Sequence, residues 1–92
     1  MGDIYIVCTL SDGSRYVEGA STSKARAHIK AEITTAQYLN RGYRLETAKD
    51  VNPLRKIATV PDVVSYWQLR GPKGERLNVE LYRVADERDD DE

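Results

Sequence analysis

Apolar and polar positions alternate at the start of the chain. In "DIYIVCTL", Ile4, Ile6, Cys8 and Leu10 stand against Tyr5, Val7 and Thr9, a period of two that predicts a strand. "SDGS" follows, and its Asp12-Gly13 pair predicts a tight hairpin turn into a second short strand, "RYVEG". The period then changes to that of a helix. It is expected to begin near Ser21–Ser23, where hydroxyls can cap free N–H groups, and to end near Asn40, with Gly42 taking the left-handed closing conformation.

Beyond the helix, "YRLETAKDV" is a third strand candidate, ended by Asn52-Pro53. "LRKIATV" fits either a strand or an ordered loop before Pro61. "VVSYWQLR" is rich in β-branched and aromatic residues and predicts a strand. "GPKG" predicts a turn, with Pro72 presetting its own φ and Gly74 free to take positive φ. "RLNVELYRVA" alternates Leu77, Val79 and Leu81 against Asn78, Glu80 and Tyr82 as the partner strand. The expected fold class is α+β in the order β-β-α-β-β-β, a mostly antiparallel sheet with one helix packed on one face.

Two faces of that sheet can be assigned from the alternation. One register turns Ile4, Ile6, Leu10, Val17, Leu45, Trp67, Leu69, Leu77, Val79 and Leu81 toward the helix. The other presents Tyr5, Tyr16, Tyr66, Gln68, Arg70 and Tyr82, with Arg44 as a neighbour. Tyrosine beside arginine on an open face fits base stacking, a protein partner, a dimer contact or plain surface. On the helix, Ala25, Ile29, Ile33 and Ala36 cluster at about 100° per residue and form the expected packing stripe. Arg26, Lys30, Gln37 and Arg41 make a basic edge beside it with no acid inside. That edge fits a solvated cover of the core or a contact with phosphates or carboxylates. Ala27, Ala31 and Tyr38 form a third strip, small enough at the alanines for another backbone to approach.

Ninety-two residues fit one domain, expected over residues 1–85. The chain is 40% apolar and 32% charged, which predicts a folded, soluble protein. No apolar run approaches the length of a membrane helix, and the first residues lack a basic n-region and cleavage site. The net charge of −1 divides unevenly. Residues 86–92, "DERDDDE", hold six acids and one arginine, for −5, so the other 85 residues carry +4. The tail is expected to be disordered. Cys8 is the only cysteine, so no internal disulfide can form, in keeping with a reducing cytoplasm.

Recognised chemistry is missing. His28 is the only histidine, lies away from the apolar stripe and is expected to be exposed. Glu18, Glu32, Asp50 and Asp62 are scattered, so no acid/base pair and no metal set is marked. "RGPKGE" lacks the G-x-x-x-x-G-K-[ST] spacing of a phosphate loop. No catalytic residue, cofactor or metal is expected.

The stretch "YVEGASTSKARAHIKAE", residues 16–32, is a strand, a small-residue and serine entry, and a Lys/Arg/Ala helix. It resembles phage-encoded anti-CRISPR proteins, in particular small inhibitors of type I-F systems. The resemblance implies a non-catalytic inhibitor working in the host bacterial cytoplasm. Its implied partner is a multisubunit crRNA-guided Cas complex, through protein subunits and crRNA phosphates, and its implied effect is to keep target DNA from binding or hybridising. Arg26 and Lys30 match the basic helix residues of that pattern. The acidic tail has no counterpart in it. The expected contact residues are Arg26, Lys30 and Arg41 on the helix and Tyr66, Arg70 and Lys73 around the last hairpin. The alternative is a small nucleic-acid-binding protein that uses the open Tyr/Arg face.

Overall fold

A computed structural model describes residues 3–50 and 62–84. The segment "LRKIATV" and the acidic tail lie outside the described residues. The elements are β1 (Ile4–Ser11), β2 (Ser14–Ser21), α1 (Lys24–Leu39), β3 (Arg44–Asp50), β4 (Asp62–Arg70) and β5 (Arg76–Val84). The five strands form one antiparallel sheet in the order β2-β1-β5-β4-β3, with α1 packed on it chiefly over β1, β2 and β5. The expected α+β class and element order are therefore found.

The local signals act where they were expected. Asp12 and Gly13 both take positive φ, 52° and 79°, the conformation that matches a two-residue hairpin loop to strand twist. The Ser23 hydroxyl accepts the Arg26 N–H at 3.2 Å and caps α1. Gly42, at φ 96°, lets the chain leave the helix, and the Tyr43 N–H returns to the Tyr38 carbonyl.

The faces need correction. The core holds Val7, Ala27, Ala31, Val64, Trp67, Leu69, Leu77, Val79 and Leu81. On α1 the buried residues are Ala27, Ala31, Thr34 and Thr35, so the helix is turned about half a revolution from the expected stripe. Ile29 and Ile33 are 54% and 49% exposed, and Ala25 and Ala36 are exposed too. The reason is space. The sheet supplies Trp67, Leu69, Val79 and Leu81, and only small residues let α1 come close over them. Thr34 and Thr35 bury at little cost because their hydroxyls donate to the Lys30 and Ala31 carbonyls one turn back, at 2.9 Å each.

Strand β1 is also reversed. Val7 pairs with Leu81 and Thr9 with Val79, so Tyr5, Val7 and Thr9 face the helix. Ile4, Ile6 and Leu10 go to the opposite face, and Val17 follows Cys8 there. A shift by one residue flips every side chain of a strand, and both faces of β1 are apolar enough to fit. Leu45 shares a face with Leu69 but belongs to the edge strand β3, outside the main helix footprint, and is 46% exposed. Tyr5 packs against the core from the helix side, and Tyr16, paired with Thr9, is on that side as well. His28 is not exposed but half-buried, edge-on to the Trp67 ring at 5.4 Å. Trp67, Leu69, Leu77, Val79 and Leu81 face the helix as expected.

Three bulges interrupt the ladders, and each extra residue has a use. Glu18 accepts the Thr9 hydroxyl at 2.9 Å. Glu46 accepts the Arg70 Nε at 3.2 Å. Val64 fills the core. Because the first two lie on the edge strands β2 and β3, they also break the flat edges that would pair with another chain.

Candidate nucleic-acid interface

The open face of the sheet is ordered in rows across the strands. At the hairpin end, Arg44 pairs with Arg70 and Arg70 with Arg76, so three arginines from β3, β4 and β5 share one row. The next row is Thr47, Gln68, Asn78, Leu10 and Arg15. The third is Lys49, Tyr66, Glu80, Cys8 and Val17, and the fourth Val63, Tyr82, Ile6 and Ala20. Along this face the chemistry passes from cations through amides to aromatic and apolar groups.

The arginine row follows from hairpin geometry. The five residues Gly71–Glu75 close by Gly71 N–H to Glu75 C=O at 2.8 Å and Gly74 N–H to Gly71 C=O at 3.0 Å. Gly74 takes φ 85°, as its turn position predicts. That loop makes Arg70 and Arg76 the first cross-strand pair. A Cβ at Gly71 would press on the Glu75 carboxylate, the end of a flexible side chain, and lie 3.0 Å from the Tyr43 ring. The Glu75 carboxyl is held below its usual range by its own N–H and by that of Lys73, which donates to Oε1 at 2.8 Å.

Like charges directly opposite one another destabilise a sheet. Of the three arginines only Arg70 has a carboxylate partner among the described residues, Glu46, and its Nη1 also reaches the Gly74 carbonyl at 3.4 Å. Arg44 and Arg76 are exposed with no such neighbour among the described residues. Two shallow depressions adjoin the row and share Gln68, Arg76 and Asn78 at their common rim. One reaches Arg70 and Glu46, the other Leu10 and Arg15.

Compared with protein-family models, curated proteins and solved structures, this chain matches none of them.

The expected contact residues divide into two groups. Arg41, Arg70 and Lys73 come together at the hairpin end, because Gly42 abuts Pro72; a Cβ at Gly42 would lie 3.7 Å from the Pro72 ring. Arg41 lies over the Tyr38 ring at 5.1 Å, Tyr38 meets Tyr43 edge-on at 5.3 Å, and Lys73 is exposed in the turn. Tyr66 is half-buried on the open face, two rows inward from Arg70. Arg26 and Lys30 are elsewhere, on the helix side of the sheet, lining a shallow groove with Val7, Gly19, Ala20 and Ser21. The Lys30 stem lies against Gly19, where a Cβ would be 3.4 Å from it. Sequence reasoning noted Arg44 and Gln68 on the open face and missed Arg15, Arg76 and Asn78 as their companions. The length of the 71–75 loop was the available signal, since it sets which residues of β4 and β5 face each other.

Two further sets of side chains complete the inventory. Tyr82, buried on the open face, donates its hydroxyl to Glu80 and lies under the Arg15 guanidinium at 5.0 Å. His28 Nδ1 is 3.7 Å from a Glu32 carboxylate oxygen. Among the described residues no group of three or more His, Cys, Asp or Glu could hold a metal ion, and no helix is long and apolar enough to cross a membrane.

Proposed function

We propose that this chain is a non-catalytic binding protein that takes up nucleic acid on the open face of its sheet. One observation carries the reading: Arg44, Arg70 and Arg76 are aligned in a single row where, among the described residues, only Arg70 has a carboxylate partner. Such a row costs folding stability, and a phosphate backbone is the ligand that would repay it. The amides and tyrosine inward of the row supply contacts for bases. Mobility-shift titration of the full chain against mixed single- and double-stranded oligonucleotides at low salt tests the reading. A shift is expected that weakens as salt rises, and joint Arg44→Glu and Arg76→Glu replacement should lower affinity by more than about tenfold. No shift at low salt sinks it.

A second reading is favoured by the basic edge of α1. Arg26 lies in the first turn of a helix with no acid there, where the helix dipole disfavours a cation. Its position therefore does not serve helix stability. With cations on both sides of the sheet, the protein suits a partner that presents RNA phosphates and protein together, as a crRNA-guided Cas complex does. In this reading the chain is a phage anti-CRISPR-type inhibitor of a type I-F complex. Added to that purified complex, it should weaken target DNA binding, and replacing Arg26 and Lys30 by glutamine should restore it. Unchanged DNA affinity at excess protein rules the inhibitor out.

A further inference from the structure

We infer that the nucleic acid taken up by this face is a single strand, laid across β3, β4 and β5 with its phosphates on the arginine row and its bases turned inward onto Gln68 and Asn78. This rests on the reading of the open face as a nucleic-acid surface and adds the strandedness, direction and division of labour.

The direction follows from the register. Arg44, Arg70 and Arg76 are on neighbouring strands, so the row runs perpendicular to them and spans about 10 Å. A backbone following the cations must cross the strands. Outward of the row, among the described residues, are the turn residues Gly71–Glu75 and the helix exit, with Lys73 exposed in the turn. Lys73 adds a cation beyond the row at this end.

The inward neighbours are of a different kind. Two residues along a strand advance about 7 Å, so Gln68 and Asn78 stand that far inward of Arg70 and Arg76, on the same face. That is the reach from a backbone phosphate to the edge of its own base. Each amide carries both donors and acceptors, which is what a base edge presents. Gln68 is exposed and Asn78 half-exposed, and the two depressions meet at them. Tyr66 is one row further in, beside Lys49.

The same geometry disfavours a duplex. Base edges of a double helix are at the floor of grooves about 8 Å deep, entered by a helix or a protruding β-ribbon. Gln68 and Asn78 are short amides on the face of a five-stranded sheet, with β1 and β3 flanking them, and do not project into a groove. An unstacked single strand can bring its base edges down to them. An acidic peptide could satisfy the arginines and meet the amides with its backbone N–H and C=O groups, so it is the competing occupant in the test.

Fluorescence anisotropy of the full chain tests the inference, with labelled strands of about twelve nucleotides. The arms are single-stranded RNA, single-stranded DNA and the matching DNA duplex, with inorganic polyphosphate and an acidic peptide as competitors. At least one single strand should bind with a log affinity against log salt slope of about −2, as two to three phosphate contacts give. The duplex should bind at least about tenfold more weakly. Arg44→Gln with Arg76→Gln should reduce the slope to about −0.7, and circular dichroism should show the variant folded, since it relieves like-charge contacts. Joint Gln68→Ala and Asn78→Ala should weaken the single strand about five- to tenfold at unchanged slope and leave polyphosphate binding as it was. Equal duplex affinity, or no loss with the amide variants, overturns the single-strand arrangement and leaves a phosphate-binding face standing. Binding of the acidic peptide alone, or of nothing at low salt, overturns both that arrangement and the nucleic-acid reading. The RNA and DNA arms decide which strand is preferred.

Discussion

Leucine in place of Ala31 is expected to destabilise the protein by about 3 kcal/mol, while serine in place of Ile29 or Ile33 changes stability by no more than about 0.5 kcal/mol. Ala31 is fully buried, and Val7, Val79 and Leu81 are fully buried in the same core. Three added carbons have nowhere to go, so α1 must lift and strip cover from Trp67 and Leu81. Ile29 and Ile33 point to solvent from the opposite side of the same helix. For a chain of this size the leucine variant should lower the melting temperature by roughly 12–24 °C. Thermal and urea unfolding of the three variants decide the matter. The reverse order, with the isoleucines sensitive and Ala31 tolerant, would mean that α1 packs through the Ala25–Ile29–Ile33 stripe.

The second large effect is loss of stability in alkali. Cys8 and Tyr82 are buried side chains on the open face, 3% and 7% exposed. Burial pushes the Cys8 thiol above its usual 9.0, with Glu80 and Glu18 adding and Arg15 opposing. Burial also pushes Tyr82 well above its usual 10.0, helped by its hydrogen bond to Glu80 and by that carboxylate's charge, and opposed by Arg15. Both groups keep their protons in the folded protein at pH values where the unfolded chain has begun to release them. The unfolded state then binds fewer protons, and stability falls as pH rises. The contribution is complete below about pH 9. Above that, Cys8 removes up to about 1.4 kcal/mol per pH unit, and above about pH 10 Tyr82 adds a similar slope. Each loss continues until pH passes the raised folded value. Tyr82→Phe should cost about 1 kcal/mol near neutrality, because Glu80 loses a donor, yet flatten the decline above about pH 10. Cys8→Ala should flatten the part that begins near pH 9. Urea midpoints measured from about pH 8 to pH 11 read both slopes. A wild-type midpoint that stays level through this range contradicts the account.

The alkaline effect depends on features the sequence does not display. Cys8 alternates with Ile6 and Leu10, which suits a core strand. That it is buried on the face away from the helix, beside Glu80 and Val17, required the β1–β5 register. The candidate site was legible in part for the same reason. Tyr66, Gln68 and Arg70 alternate visibly on one strand, and Arg44 was a recognisable neighbour. Their union with Arg76, Asn78 and Arg15 depends on pairings between segments far apart in the chain. Arg26 and Lys30 lie together one turn apart on α1, as helical spacing requires, but the sheet separates them from Arg70 and Tyr66.

By itself the sequence determined the local structure: the Asp12-Gly13 hairpin, the Ser23 cap, the Gly42 exit, the 71–74 turn and the order of strands around one helix. Those features are set by φ preferences, short-range hydrogen bonds and periodicity, which act within a few residues. The tertiary structure alone decided which side of α1 and of β1 is inside. Each had two faces apolar enough to bury, so periodicity could not choose between them. Close packing chose: Ala27 and Ala31 allow α1 to approach Trp67 and Leu81, and the pairing of Val7 with Leu81 fixes β1. The same pairings across the sheet created the arginine row, whose members are dispersed from Arg44 to Arg76 along the chain.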